Sequence, residues 1–426
     1  MSLPHRIHGH VLRFSGNPFT EGWEACVRVE ENSAILIEDG VITALGDAAK
    51  AEEATEARYD NHLICPGFVD AHVHYPQTAI IASWGKRLID WLNSYTFPEE
   101  TRFSDPAYAR EIAGRYCDLV LAHGTTSFAS YCTIHPASVD AIFEAAEARG
   151  MAVVAGKTCM DRNAPDGLRD TVQSAYDDSK ELLTRWHRTG RAHYAITPRF
   201  APTSTPEQLE AMGALWAEHP DVVMQTHLSE QVDEVAWVRD LFPQAHDYLD
   251  VYDRFGLLGP RGIYGHAIHL TDRERAKLAE VGAGLAHCPT SNTFIGSGLF
   301  DLAGLARAGQ PVGLATDTGG GSSFSMLRTM AAAYEIAQLR GTAVHAAELL
   351  WVATEGSAQV LHRADEIGRI DVGRVADLAV LDLGSTPAIA QRSARADDIW
   401  EAVFPTIMMG DDRAVAATYV AGRHEA

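Results

Sequence analysis

Between residues 63 and 316 the chain alternates short apolar runs with longer amphipathic ones. Runs of strand length fall at Leu63–Asp70, Thr125–Ala129, Ala152–Lys157, His193–Thr197, Val222–His227, Gly262–His266, Gly284–His287 and Pro311–Thr316. Helical patterns lie between them, such as Pro136–Arg149, Pro206–Glu218 and Asp272–Val281. The last opens at Thr271, an N-cap residue, with Glu274 placed to complete a capping box. Strands that alternate with helices form parallel βαβ units, and eight such units close a (β/α)8 barrel.

The two ends have a different rhythm. Ser33–Gly46 reads as a hairpin, two apolar strands around Glu38-Asp39-Gly40. Ala376–Leu383 and Ala414–Gly422 also run apolar or alternate at strand length. Both ends are therefore β-rich.

Composition narrows the class. The chain has 426 residues, 46% hydrophobic and 22% charged, which excludes a disordered, collagenous or coiled-coil protein. A formal charge of −22 makes its surface a poor binder of nucleic acid or anionic membrane. The start lacks the basic-then-apolar pattern of a signal peptide, and no run approaches the ~18 apolar residues of a membrane span. The six cysteines are scattered without a CxxC pair, which predicts reduced thiols and a cytoplasmic protein. Cys65 and Cys288 are assigned no role beyond packing.

In such a barrel the active site sits where strands end and βα loops begin. Those ends carry His72 and His74, then His227, then His266, then Asp317. His72 and His74 are two apart, so an extended strand sends both to one face. They form half of a metal site, to which His227 adds a nitrogen and Asp317 an oxygen. Imidazole and carboxylate suit Zn²⁺ or Fe²⁺. Glu230, three residues after His227, reaches back over the same rim as a proton shuttle. Gly319-Gly320-Gly321 is a flexible loop able to cradle phosphate, although a glycine triplet alone does not specify one.

Pro66-Gly-Phe-Val-Asp-Ala-His-Val-His74, His227-Leu-Ser-Glu230, His266 and Ala315-Thr-Asp317 together resemble the amidohydrolase superfamily. Ile367–Asp382 is similar to its C-terminal return segment. The resemblance implies an α/β fold: a (β/α)8 TIM-type barrel at 65–366, with a small β-sandwich built from 1–64 and 367–426. The stretches His74–Gln77, Trp84–Glu99, Gly156–Asp161, Pro198–Pro202, Cys288–Asn292 and Thr316–Leu327 resemble the guanine-deaminase branch. Many members of the superfamily end the fourth strand in a carboxylated lysine that bridges two metals. Here His193–Arg199 offers none, and Lys157 on the third strand is the only nearby candidate. One metal is expected.

The resemblance implies one Zn²⁺ per subunit (Fe²⁺ being the alternative) on His72, His74, His227 and Asp317. It implies hydrolytic deamination of guanine to xanthine and ammonia. Asp317 would take a proton from water, Glu230 would protonate ring N3, and His266 would hydrogen-bond the developing alkoxide. Arg199 and Gln77 would read the purine edge, Phe200 would cover its face, and His74 and His227 would border the substrate. Trp84, Trp91 and Phe97 either form a lid or pack the mouth. The structural alternative for Arg199 is a salt bridge to the acidic surface. A homodimer is expected from the family. Other readings are a deaminase of another heterocycle (8-oxoguanine, a pterin, an s-triazine or an adenosine-type nucleoside) and a non-catalytic assembly protein, which the intact ligand set disfavours.

Overall fold

The computed structural model describes residues 5–50, 54–84 and 87–426. Part of the Trp84–Glu99 stretch, residues 85 and 86, lies outside the described residues. The strands are β1 (His5–Phe14), β2 (Val27–Glu38), β3 (Val41–Leu45), β4 (Thr55–Pro66), β5 (Phe68–Val73), β6 (Thr125–Tyr131), β7 (Ala152–Gly156) and β8 (Thr158–Cys159). They continue as β9 (Ala192–Pro198), β10 (Val223–Leu228), β11 (Gly262–His266), β12 (Gly284–His287), β13 (Val312–Leu314), β14 (Leu378–Asp382), β15 (Val415–Val420) and β16 (Arg423–His424).

The barrel order is β5, β6, β7, β9, β10, β11, β12, β13, every pair parallel. The short β8 adds to the edge of β9. Strands such as β6 and β10 are buried along their whole length, as parallel strands covered by helices must be. The helices Pro136–Arg149, Pro206–Glu218 and Asp272–Val281 form as the pattern predicts, the last with the Thr271–Glu274 capping box.

Closure between β5 and β13 is made just beyond the last strand. The Asp317 amide donates to His72 O (3.0 Å), and the His74 amide donates to Thr318 O (3.3 Å). Asp70 reinforces this seam: its carboxylate accepts from the Thr316 amide (3.0 Å) and from Thr316 Oγ1 (2.5 Å). Burial pushes the Asp70 carboxyl up to about 7.

One expected strand is corrected. Leu63–Asp70 is not a single barrel strand. The chain crosses at Gly67: Leu63 to Pro66 belong to β4 and pair with β14, whereas Phe68 onward belongs to the barrel. An apolar run does not reveal a change of sheet, because both halves are buried.

The two chain ends form one seven-stranded sheet, ordered β16-β15-β14-β4-β1-β2-β3. Ile7, Ile35, Ile64, Leu378 and Val380 share its apolar face. The predicted hairpin turns at Asp39 and Gly40, both with positive φ (48° and 82°), as a tight turn between twisted strands requires. The C-terminal segment also makes an excursion. Helices Pro387–Ser393 and Ile399–Met409 leave the sheet, and the second packs on the barrel helix Met326–Leu339, with Tyr334 and Phe404 edge to face at 5.0 Å. Among the described residues no helix is long and apolar enough to cross a membrane.

Asp70→Ala removes both hydrogen bonds across the seam. We expect it to lower the free energy of unfolding by about 3 kcal/mol, read from urea denaturation.

Candidate active site

The C-terminal rim of the barrel gathers the predicted residues in one place. His72 lies on β5, His74 just past its end, His227 on β10, and His266 closes β11. Asp317 follows β13 by three residues. Several are held in unusual backbone: Ser229, His266, Ala267 and Asp317 are non-glycine residues with φ of 48°, 66°, 48° and 49°. Left-handed residues of this kind store strain and persist where surrounding bonds over-determine them. Here the Ala267, Ile268 and His269 amides donate to Leu228 O and Ser229 O, joining the β10 and β11 ends.

His74 Nε2 and His227 Nε2 lie 3.1 Å apart. Asp317 Oδ1 lies 3.5 Å from His72 Nε2 and 3.6 Å from His74 Nε2. The His227 Nδ1–H donates to Arg199 O (2.7 Å), so its Nε2 is the bare nitrogen turned toward His74. Burial, with neighbouring positive groups, holds His72, His74 and His227 well below the usual histidine range, so they are neutral. Both nitrogens of His72, and Nδ1 of His74, are buried without a hydrogen-bond partner.

These observations fit a metal. Ligating imidazoles must be neutral, and converging nitrogens without protein partners are costly to bury unless something else satisfies them. Among the described residues, two overlapping groups bring their ligand atoms within reach of one ion: His72, His74 and His227, and His72, His266, Cys288 and Asp317. The Cys288 thiol donates to Ala286 O (3.5 Å), and burial pushes it well above its ordinary value, so it is a protonated and poor ligand. Cys288, to which the sequence assigns no role beyond packing, nevertheless lies beside His72, His266 and Asp317.

Glu230 is fully buried beside this cluster. Its Oε1 accepts from Ser297 Oγ (2.9 Å), and Oε2 lies 3.6 Å from His266 Nε2. Burial pushes Glu230 up to about 7, so it exchanges a proton near neutrality. Burial alone would lower His266. The charges of Glu230 and Asp317, and a hydrogen bond between Nδ1 and Asn292 Oδ1 (2.8 Å), outweigh it and raise the group.

Most of these residues line one pocket at the barrel rim. His74, His227, Glu230, His266 and Asp317 line it together with Gln77, Arg199 and Phe200. Leu88, Trp91, Leu92 and Ile295 complete an apolar wall. Of the three aromatics in the preceding loop, Trp91 and Phe97 are buried, and Trp84 is 71% exposed. Leu92–Thr96 makes one π-helical turn, a local widening that recurs at functional sites.

Three features escape a reading of the sequence. Glu100 is fully buried and bonds both Gln77 Nε2 (2.8 Å) and Arg199 (2.7 Å). Arg199 thus forms a salt bridge, but inside the pocket rather than with the acidic surface. The only signal for Glu100 was its position ending the Phe97-Pro-Glu-Glu stretch. Lys157 is not near the imidazoles' open nitrogens: its Nζ is committed to both oxygens of Asp170 (2.7 and 2.8 Å) in a buried pair. The Gly319–Gly321 loop cradles side chains, not phosphate. A Cβ at Gly319 would overlap Gln77 Oε1, and one at Gly320 would meet Ser291 Oγ at 2.9 Å.

Comparison with known proteins agrees with this geometry. The sequence model of the amidohydrolase family matches residues 63–424. Guanine deaminase of Escherichia coli (strain K12) is 42% identical over 418 residues, 97% of this chain and 95% of that protein. A solved E. coli guanine deaminase superposes with a TM-score of 0.96 at 40% identity, covering 99% of both chains. The C. acetobutylicum guanine deaminase, solved with guanine bound in its active site, gives 0.89 at 27% identity, again over 99% of both. The chain belongs to the amidohydrolase family. Within that family its likeness runs to the guanine deaminases.

Lys157→Met leaves Asp170 buried and unpaired, and should destabilise the fold by about 3–5 kcal/mol in thermal or urea denaturation. Lys157→Met combined with Asp170→Leu should recover most of that loss.

Proposed function

We propose that the protein is a hydrolase that deaminates guanine to xanthine and ammonia. The observation that carries this reading is the meeting, in one pocket, of His74, His227 and Glu230 with Arg199 and Gln77. The guanine deaminases it resembles over nearly its whole length support the same substrate.

His72, His74, His227 and Asp317 would hold one divalent ion, Zn²⁺ by preference and Fe²⁺ by the same donor chemistry. When bound, such an ion lowers the pKa of water toward about 7 and so supplies a nucleophile at neutral pH. The protein's own groups do the rest. The Arg199 guanidinium donates toward O6, Gln77 reads the adjoining ring position, and Phe200 covers the purine face. Asp317 accepts a proton from the attacking water. Glu230 gives a proton to ring N3, the proton taken up by Asp317 passes to the departing amine, and Glu230 recovers a proton from the new C2 hydroxyl, so that C2 exchanges its C–N bond for C=O and ammonia leaves. His266 donates to the oxygen that develops at C2. Because the cavity is buried, each of these interactions acts at low dielectric.

The barrel at 65–366 carries the reaction in this reading, and the terminal segments 1–64 and 367–426 form the supporting unit. A cytoplasmic homodimer remains part of the proposal on the family resemblance, and sedimentation velocity tests the dimer.

The test is ammonia release by zinc-loaded protein from guanine, beside adenine, cytosine, 8-oxoguanine and a pterin. Xanthine and ammonia from guanine are expected. Ammonia from another of these heterocycles, with none from guanine, would reject the substrate. Glu230→Gln should keep the metal and lose turnover by about 10²–10⁴-fold. His72→Ala should lose bound metal by elemental analysis, as well as activity.

A further inference from the structure

Glu100 sits on the short helix Phe97–Thr101 and is 0% exposed. Both of its oxygens are committed. Oε1 accepts from Gln77 Nε2 at 2.8 Å, and Oε2 accepts from Arg199 Nη1 at 2.7 Å. A carboxylate in an ion pair with a guanidinium has no proton to donate. The Gln77 amide therefore has one tenable orientation. Its NH₂ faces Glu100, and its carbonyl faces away, because the reverse would set oxygen against oxygen in a buried site.

The released group is Gln77 Oε1. It is buried and has no hydrogen-bond partner in the protein. Gln77 lines the cavity beside Arg199, and Gly319 leaves the space that Oε1 occupies. An acceptor without a partner in such a place costs free energy until a ligand donor meets it. Arg199 offers only donors. The wall that Glu100 organises thus presents a donor beside an acceptor.

We infer that Glu100 is a positioning residue that fixes this hydrogen-bond polarity, and that it selects a 6-oxo, N1–H purine edge over a 6-amino edge. The inference rests on the reading of Arg199 and Gln77 as the residues that face the purine. A 6-oxo purine offers an acceptor, O6, beside a donor, N1–H, which complements the wall. A 6-amino purine offers a donor beside a bare N1. It would place the amino group against the guanidinium and N1 against Gln77 Oε1. Sites built around such buried polar groups discriminate strongly, because the wrong ligand leaves them unpaired. Without the carboxylate, Gln77 is free to turn and its NH₂ can meet a bare N1, which removes one of the two mismatches of the 6-amino edge.

The test compares guanine with 2,6-diaminopurine, which share the 2-amino leaving group and differ at the 1,6 edge. The metal-loaded protein should strongly prefer guanine. In Glu100→Gln the ratio of the two kcat/KM values should fall by about tenfold or more, chiefly through KM. Glu100→Asp, which keeps the charge, should retain the preference. A Glu100→Gln protein with an unchanged melting curve and a ratio within about twofold of the original would overturn the inference. Should that variant not fold, calorimetry on the unaltered metal-loaded protein decides. Hypoxanthine should bind about tenfold more tightly than adenine, and equal or tighter binding of adenine would overturn the polarity. If guanine is not turned over at all, the proposed function fails, while the hypoxanthine–adenine comparison still tests the pocket.

Discussion

The whole site depends on the seam where the first barrel strand meets the segment after the last. His72 and Asp317 come from opposite ends of the barrel sequence. The main-chain hydrogen bond from the Asp317 amide to His72 O sets them side by side. Asp70 fastens the same seam from two residues away through Thr316. A barrel that failed to close there would keep its strands and helices, yet its imidazoles and carboxylate would not converge. Closure of the fold and assembly of the chemistry are one event.

That convergence places many ionisable groups out of water, and each responds in the direction its surroundings require. Histidines crowded together and buried stay neutral. Carboxyl groups such as Glu230 and Asp70 hold protons to unusually high pH. His266, facing two carboxylates, is raised where the other rim histidines are lowered. The cost of burying them is offset by mutual pairing, and for the open imidazole nitrogens it would be offset by a bound cation.

The repeating strand–helix rhythm was legible because parallel barrel strands are apolar throughout and the helices between them are bounded by caps and prolines. The rim histidines and Asp317 were legible because polar residues interrupt those apolar runs at the place where a barrel carries its chemistry. Three things were not. The crossing at Gly67 is silent, since Leu63–Asp70 is apolar on both sides of it. The helices at 387–409 interrupt a segment whose flanking strands dominate the pattern. Glu100 looks like a surface acid in a helix turn, and only the fold shows that two polar side chains share it. Sequence periodicity records which residues avoid water, but it does not record which buried polar groups satisfy one another.

The sheet built from the two chain ends has a bearing on biosynthesis. Cys65 on β4 bonds to Ala379 on β14, 314 positions later. While the ribosome makes the intervening barrel, β4 has β1 on one side and an open edge on the other. That edge includes the apolar Leu63-Ile64-Cys65, the kind of surface that recruits foreign strands. It is covered only when β14, which begins at Leu378 of the 426 residues, emerges. The nascent chain therefore carries its most adhesive border through most of its own translation, and the final strands act as the cap that makes it safe.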